Sequence, residues 1–256
     1  MHDSIPLDRR RRIGERLRRG ISVSASALAQ EFVVSEDAIR RDLRALAAEG
    51  QCKRVYGGAL PLSPEGVDFE HRVLNHPCEK RALALAALPL LEDNAVIFLD
   101  SGTTNLALAR EIPNDRNLTI ATNSIPIAAA LFERKHSKLI VFGGQIDSHI
   151  AGSVGAAAVR EAEQSNFDLC FLGACAVSAK SGIGTFHLAD ADFKRAVISS
   201  SGRIAALVTM DKLETRAPYR IGKLAVLDHL VLDHNTSADI ITLLSDAGPG
   251  IVLTKP

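Results

Sequence analysis

The apolar positions of this chain follow two different patterns. In residues 7–48 they recur every three or four positions, which is typical of short helices that bury one face. From residue 95 onward, short runs rich in Val, Ile and Leu alternate with helical segments, which is typical of a parallel sheet covered by helices. The sequence therefore predicts an α/β protein in which a small helical domain precedes an open, mostly parallel sheet.

Three helices are predicted in the first part of the chain. Leu7, Ile13 and Leu17 supply the apolar positions of the first helix, ASALAQEF forms the second, and the third begins at Ser35, a favourable N-cap. The following KRVY and GG predict a short strand and a turn. A helix-turn-helix followed by a wing is therefore expected over residues 1–58.

Seven strands are predicted in the second part. They cover 95–100, 118–122, 138–142, 168–172, 204–208, 229–233 and 250–254. The stretch between the two parts carries prolines and glycine without any period, so it is assigned as a linker over residues 59–74. The second domain is then residues 75–256.

Composition is that of an ordinary globular protein, with 46% hydrophobic and 23% charged residues among 256. No apolar run approaches the length of a membrane span, and the N-terminus lacks the apolar core of a secretory signal, so a cytoplasmic location is expected. The four cysteines form no C-x-x-C pair, and His71, His76 and Cys78 match no standard metal-binding spacing. Neither a metal nor a cofactor is predicted.

Charge is distributed unevenly along the chain. Residues 1–60 carry 12 basic and 8 acidic side chains, and the remainder carries 18 basic and 22 acidic ones. A basic head on an acidic body is typical of a nucleic-acid-binding domain joined to a domain of another kind. The arginines of the third helix are equally compatible with a solvated surface.

If the third helix enters the major groove, its N-terminal residues meet base edges and the basic wing meets phosphates. The residues expected at double-stranded DNA are Ser35, Glu36, Asp37, Arg40, Arg41 and Arg44 on the helix, and Lys53 and Arg54 on the wing.

Small and hydroxyl-bearing residues follow three successive strands of the second part. A strand, a glycine turn and a hydroxyl-rich helix start together form a common phosphate-binding arrangement. Ser or Thr at such a junction is often only an N-cap, but three junctions in succession favour a shared pocket. The expected pocket residues are Asp100, Ser101, Gly102, Thr103, Thr104, Thr122, Asn123, Gly143 and Gly144.

Two long stretches resemble a known family. VSEDAIRRDLRALAAEG followed by KRVYGGAL resembles the DNA-binding signature of the DeoR family of bacterial transcription regulators, with Ala38 in place of the usual Thr. LDSGTTNLALA, LTIATNSIPIAAAL and VFGGQIDSHIAGSVG resemble its effector-binding domain. The resemblance implies a repressor of carbohydrate metabolism that responds to a phosphorylated sugar. Because one small head buries little DNA surface, a homodimer or homotetramer is expected.

The resemblance adds three candidate ligand contacts. Asp190 stands where the family usually has Glu, and it and Lys194 are expected either to contact the ligand or to form a surface i,i+4 pair. Lys212 is retained in a segment that otherwise departs from the family pattern, and it is expected to pair with a phosphate.

An enzyme is the alternative interpretation, because the effector domain of the family is related to sugar-phosphate isomerases. Those enzymes carry an acidic D-G-A-D loop, whereas the matching stretch from Leu172 to Val177 has no carboxylate. Without a carboxylate in this loop, the general base that abstracts the proton in those enzymes is missing. The sequence therefore predicts a sensor with no catalytic residues, in which Asp100 orients a sugar hydroxyl.

Overall fold

The computed structural model describes residues 6–18, 23–55, 57–61, 69–134 and 137–256. By its internal contacts the chain divides into two compact units, Met1–Val67 and Asp68–Pro256. Within the described ranges, no helix is long and apolar enough to cross a membrane.

The first unit has a winged helix-turn-helix architecture. Its elements are α1 (Pro6–Arg18), β1 (Val23–Ser24), α2 (Ala25–Phe32), α3 (Glu36–Ala48), β2 (Cys52–Val55) and β3 (Gly58–Pro61). The three predicted helices are confirmed, and Ser35 Oγ accepts a hydrogen bond from the Ala38 amide at 3.2 Å, as an N-cap should. The strands form an antiparallel sheet in the order β1-β3-β2, in which β2 and β3 are the wing.

The apolar face of α1 differs from the prediction at one residue. Ile13 and Leu17 are buried in the core of the first unit, but Leu7 is 75% exposed. Leu7 precedes Ile13 by six positions, and at 3.6 residues per turn this separation places it on a different face of the helix. The prediction for Leu7 was wrong for this reason.

A buried ion pair fixes α1 against α3. Arg9 Nε lies 2.7 Å from Asp42 Oδ2, and both side chains are more than nine-tenths buried. Arg10 approaches the other carboxylate oxygen of Asp42 at 3.7 Å. Asp42 therefore pairs with arginines of α1 and is buried between the two helices.

The second unit is built on a parallel sheet of seven strands. Its elements are α4 (Phe69–Leu74), α5 (Pro77–Ala87), β4 (Val96–Leu99), α6 (Thr103–Glu111), β5 (Leu118–Thr122), α7 (Ile125–Leu131), β6 (Ser137–Val141), β7 (Ile146–Asp147), β8 (Gly152–Ser153), α8 (Ala156–Glu163), β9 (Leu169–Leu172), β10 (Ala176–Ser178), β11 (Gly182–Thr185), α9 (Leu188–Ser199), β12 (Ile204–Leu207), β13 (Tyr219–Gly222), β14 (His229–Leu232), α10 (Ala238–Ser245) and β15 (Gly250–Leu253). The order in the large sheet is β15-β14-β12-β9-β4-β5-β6, which confirms all seven predicted strands.

Apolar side chains on the two faces of this sheet form separate cores. Successive residues of a strand point to opposite faces, so Phe98 joins one cluster while Ile97 and Leu99 join the other. The sheet is therefore buried on both sides, and its polar groups collect at the strand ends.

Two small antiparallel sheets were not predicted. One is the pair β7 and β8, and the other has the order β10-β11-β13. Their strands have two to four residues and carry several glycines, so they lack the apolar runs that identify the strands of the large sheet.

The predicted linker contains regular structure at both ends. Residues 58–61 form β3, and residues 69–74 form α4. The sequence shows no period there because β3, which completes the wing by pairing with β2, is only four residues long. Residues 62–68, within the same predicted linker, lie outside the described part of the chain.

Candidate functional site

The loops after β4, β5 and β6 gather at one edge because these strands are neighbours in the sheet. Asn123 holds the loops together, since its Oδ1 accepts a hydrogen bond from the Ser101 amide at 3.0 Å and its Nδ2 donates to the Ser153 carbonyl at 3.0 Å. Ser153 Oγ in turn donates to the carbonyl of Phe142. A hydrogen bond thus directly joins the loop after β4 to the loop after β5.

A charged group lies beneath these loops, and we call Asp100, Thr185, Asp190 and Lys194 the strand-end cluster. Lys194 Nζ is 2.5 Å from Asp100 Oδ2 and 3.0 Å from Asp190 Oδ1. Thr185 Oγ1 donates to Asp190 Oδ2 at 2.6 Å. The amide of Gly173 donates to Asp100 Oδ2 at 2.7 Å, and a Cβ at this position would lie 2.9 Å from that same oxygen, so the approach requires glycine.

The strand-end cluster is buried, although it contains three charged side chains. The residues Asp100, Asp190 and Lys194 are each at most 3% exposed. The surface-pair interpretation of Asp190 and Lys194 was therefore wrong, because the pair faces the protein interior. With two carboxylates and one ammonium, the cluster carries an excess of negative charge.

Burial and charge set the protonation of this cluster. Burial raises the pKa of Asp100, and the Lys194 ammonium opposes that rise. Burial by itself lowers the pKa of Lys194, but the two carboxylates more than compensate and raise it above its ordinary value. Lys194 therefore remains a cation at neutral pH.

Three buried oxygens at these strand ends have no hydrogen-bond partner among the described residues. They are Asp100 Oδ1, Thr104 Oγ1 and Ser124 Oγ. Buried polar atoms are nearly always hydrogen-bonded in folded proteins, so a set of three at one edge of a sheet indicates a place for a polar ligand. Thr122 differs from them, because its hydroxyl donates to the Leu99 carbonyl at 2.6 Å and accepts from the Ser124 amide at 3.1 Å.

A basic group of three residues, which we call the basic cluster, comprises Arg72, Lys80 and Lys212. Lys80 Nζ donates to the Arg72 carbonyl, and Lys80 is only 6% exposed. Burial, with repulsion from Lys212 and Arg72, lowers the pKa of Lys80 to about 8. A buried lysine beside two other cations is a favourable place for an anionic group.

The basic cluster lies at the same edge of the sheet as the strand-end cluster. Glu79, which precedes Lys80 on α5, accepts a hydrogen bond from the Met210 amide at 2.7 Å, just after the carboxyl end of β12. Lys212 lies in the short 3-10 helix of residues 210–212. Burial lowers the pKa of Arg72, and the charge of Asp190 partly opposes this decrease.

The predicted glycines of the third loop lie apart from these clusters. Gly143 and Gly144 are exposed, and the Gly143 amide donates to Glu161 Oε2 at 3.3 Å. No described contact joins either glycine to Asp100, Asp190 or Lys194.

The predicted DNA-contacting residues of α3 share one exposed surface. Ser35, Glu36, Asp37, Arg40, Arg41 and Arg44 are all exposed, and so is Arg54 on the wing. Arg40 Nη2 lies 2.9 Å from Glu36 Oε2, so the first turn of the helix neutralises part of its own charge. The side chain of Lys53 lies outside the described part of the structure.

Several residues of the site were missed from the sequence. Thr185 and Gly173 carry no spacing that links them to Asp100. Arg72 falls within the predicted linker, and Lys80 belongs to a helix that its pattern assigns only to packing. The EKR stretch at the start of α5 was the one local signal, because it places a lysine on a helix whose other residues are mostly apolar. Within the described residues, no group of three or more His, Cys, Asp or Glu side chains could hold a metal ion; the side chain of His71 is not described.

A winged helix-turn-helix in one chain with a polar pocket at the edge of a parallel sheet defines a class of DNA-binding regulators. Residues 9–65 match the DeoR-like helix-turn-helix domain, and residues 75–234 match the DeoR C terminal sensor domain. The chain belongs to the DeoR family of transcriptional regulators.

Regulators are also found among the similar proteins. The HTH-type transcriptional regulator GlpR of Haloferax volcanii is 30% identical over 97% of this chain and 98% of its own length. The glycerol-3-phosphate regulon repressor of Escherichia coli is 28% identical over 88% of this chain and 89% of its own. Among solved structures, ribose 5-phosphate isomerase A of Methanocaldococcus jannaschii is 18% identical, covers 54% of this chain and 55% of its own, and has a TM-score of 0.40.

Proposed function

We propose that this protein is a homo-oligomeric repressor of a carbohydrate operon and that a phosphorylated sugar controls its affinity for operator DNA. The observation that carries the proposal is the buried Asp100 Oδ1 next to Lys194, which has no hydrogen-bond partner among the described residues. The basic cluster at the same edge of the sheet supports it. A sugar phosphate has the complementary chemistry, because it offers hydroxyl donors at one end and a dianion at the other. The names of the GlpR and glycerol-3-phosphate relatives agree with a phosphorylated polyol or sugar as the signal.

Each end of such a ligand has a matching group. A sugar hydroxyl would donate to Asp100 Oδ1, while the hydroxyl of Thr104 and the amides in the first turn of α6 are suited to receive a phosphate. The basic cluster, with Lys80 and Lys212, would balance the phosphate charge. The ligand would thereby satisfy the polar atoms that the fold leaves unpaired.

Control of DNA binding would follow from linkage between the two units of the chain. A ligand that binds the DNA-competent and DNA-incompetent arrangements of an oligomer with different affinity shifts their populations. Because two heads must match the spacing of two half-sites, a change in their arrangement weakens operator binding. On the DNA side, we propose that α3 enters the major groove with Arg40, Arg41 and Arg44 and that Arg54 and Lys53 meet phosphates.

The effector role is tested by substituting Thr104 with Val and screening phosphorylated sugars by thermal shift. Since Thr104 Oγ1 has no hydrogen-bond partner in the part of the chain that the structure describes, Thr104→Val should leave the melting temperature unchanged while weakening ligand affinity by about tenfold. The matched control is Thr119→Val, in the amino-terminal half of β5, which should alter neither property. Equal ligand-induced shifts in Thr104→Val and the wild type would refute this pocket.

An isomerase-like enzyme is the second candidate, because Asp100 is a buried carboxylate at a strand end and burial raises its pKa. Against it, Asp100 Oδ2 is already engaged by Lys194 and the Gly173 amide, and the similar proteins are regulators. Incubation of the pure protein with aldose and ketose phosphates should leave them unchanged by NMR. Accumulation of an isomerised product would establish the enzyme instead.

A further inference from the structure

A cavity of about 250 Å³ lies in the small sheet formed by β10, β11 and β13. It is bordered by β11, by the beginning of β13 and by the connection that precedes β13. No residue of the strand-end cluster or of the basic cluster lines it. Its volume is just below the roughly 300–1,000 Å³ of typical ligand pockets, so it suits a small molecule or ion.

The charged residues that line this cavity are both arginines. Arg216 and Arg220 line it, and no Asp or Glu is among the lining residues. Neither guanidinium has an ion-pair partner among the described residues. The nearest acid along the chain, Glu214, is engaged elsewhere, because its carboxylate accepts from the Ala179 amide at 3.0 Å and from Ser178 Oγ at 3.2 Å.

The remaining lining adds hydrogen-bonding groups and an irregular backbone. Ser181 and Thr215 contribute hydroxyls, and the register between β11 and β13 shifts between Ile183 and Gly184. Such bulges recur beside binding sites because they interrupt the ladder and change the direction of neighbouring groups. Gly184 itself is held close, since a Cβ there would lie 3.0 Å from the Cβ of Ala217.

We propose that this cavity is a second anion site, which binds a small oxyanion carried by phosphate or carboxylate groups. Arginine presents a planar fork of donors that matches both oxyanions in a bidentate manner. Two such side chains on one small cavity, with hydroxyls and no opposing carboxylate, provide charge and hydrogen bonds for this chemistry. The residues that line the site are different from those of the proposed effector pocket.

The anion site is connected to the strand-end cluster through α9. Arg195 of α9 donates to the carbonyl of Arg220 at 2.5 Å, while Asp190 and Lys194 of the same helix belong to the cluster. An anion that orders Arg220 therefore acts on the helix that holds the effector groups. This coupling, unlike the anion site itself, rests on the effector function proposed above.

Isothermal titration of the full-length protein with inorganic pyrophosphate, and separately with citrate, tests the site. Wild type should bind at least one of the two probes, and the comparison distinguishes phosphate from carboxylate recognition. Arg216→Gln combined with Arg220→Gln should weaken that binding by about tenfold or more. Arg110→Gln, which removes an exposed arginine of α6, is the matched control and should bind as the wild type does.

The controls separate this site from the effector pocket. The double arginine variant should lose pyrophosphate or citrate binding but still respond to sugar phosphates by thermal shift, because it leaves Asp100, Thr104 and Lys80 in place. If wild type binds neither probe, or if the double arginine variant binds them as the wild type does, the anion site is refuted. It is also refuted if the double variant lowers the oligomer mass in sedimentation without changing anion binding, because the arginines would then hold a second copy of the chain.

Discussion

Lys194 Nζ lies 2.5 Å from Asp100 Oδ2, although 94 positions separate the two residues in the chain. The contact joins α9 to the carboxyl end of β4, and it places a cation between two buried carboxylates. The fold thereby buries a polar centre at the edge of the sheet, and within the described ranges one oxygen of Asp100 has no hydrogen-bond partner.

Removal of the buried cation should destabilise the second unit strongly. Lys194→Met leaves Asp100 and Asp190 buried without compensation, and breaking a buried ion pair in this way costs about 3–5 kcal/mol. Because burial raises the pKa of Asp100, the folded variant binds a proton that the unfolded chain releases, so its stability should increase as the pH falls from neutrality. Urea unfolding at several pH values measures both effects.

The companion variant Asp100→Asn with Lys194→Met removes one of the two carboxylates and should recover part of the loss. Lys180→Met, at an exposed lysine, should unfold as the wild type does. A Lys194→Met protein with wild-type stability at all pH values would show that the charges are not buried together.

Loss of the Asp42 carboxylate should release α3 from α1. Asp42→Asn leaves Arg9 buried without its partner, which costs about 3–5 kcal/mol and loosens the helix that carries the DNA-facing arginines. Hydrogen–deuterium exchange should therefore increase in peptides of α1 and α3, and operator binding should weaken. Asp8→Asn, which breaks only the exposed pair with Arg11, should change neither exchange nor binding.

Two arginines of the first unit should respond differently to substitution. Arg41→Ala is expected to cost about 1–3 kcal/mol of operator affinity and to relax preference at one base position, because we propose that Arg41 contacts a base edge in the groove. Arg54→Ala is expected to weaken binding to all sequences and to reduce the salt slope by about 1, because we propose that Arg54 contacts a phosphate. Fluorescence anisotropy with operator and random DNA at several salt concentrations distinguishes the two. Equal losses on both DNAs for Arg41→Ala would contradict a recognition role.

The affinity for a phosphorylated ligand should decrease above pH 8. Burial and the neighbouring cations lower the pKa of Lys80 to about 8, and a bound phosphate would favour the protonated amine. Ligand binding above pH 8 therefore takes up a proton, and the dissociation constant should rise by up to about tenfold per pH unit. Lys80→Gln should bind more weakly at pH 7 and lose this dependence. A wild-type affinity that is constant from pH 7 to pH 9.5 would contradict the placement of the phosphate beside Lys80.

The sequence predicted well those elements that are long enough to show a recognisable pattern of apolar residues. The seven strands of the large sheet are buried on both faces, so each appears as a continuous apolar run, and α2 and α3 have both a clear apolar face and a serine cap. By contrast β3, β7 and β8 have only two to four residues, and their existence depends on the strands that pair with them. Leu7 was misassigned because hydrophobicity alone does not fix the angle of a residue around a helix.

The sequence predicted the local motifs of the candidate site but not the contacts between them. The loop from Asp100 to Thr104 and the pair Asp190 and Lys194 could be singled out, but the contact between them could not, since no period or spacing connects residues so distant in the chain. Lys80 and Thr185 were not predicted as site residues for the same reason. A lysine on an apolar helix becomes informative only when the burial of that helix is known.

The two buried ion pairs also differ in the time at which they can form. Arg9 and Asp42 are 33 positions apart. The pair of Asp100 and Lys194 can form only after Lys194 has left the ribosome, 94 residues after Asp100. Since domains form in order during synthesis at roughly 5–20 residues per second, the winged unit can be assembled several seconds before the polar centre of the second unit exists. A growing chain is thus equipped to meet DNA before it is able to respond to a metabolite.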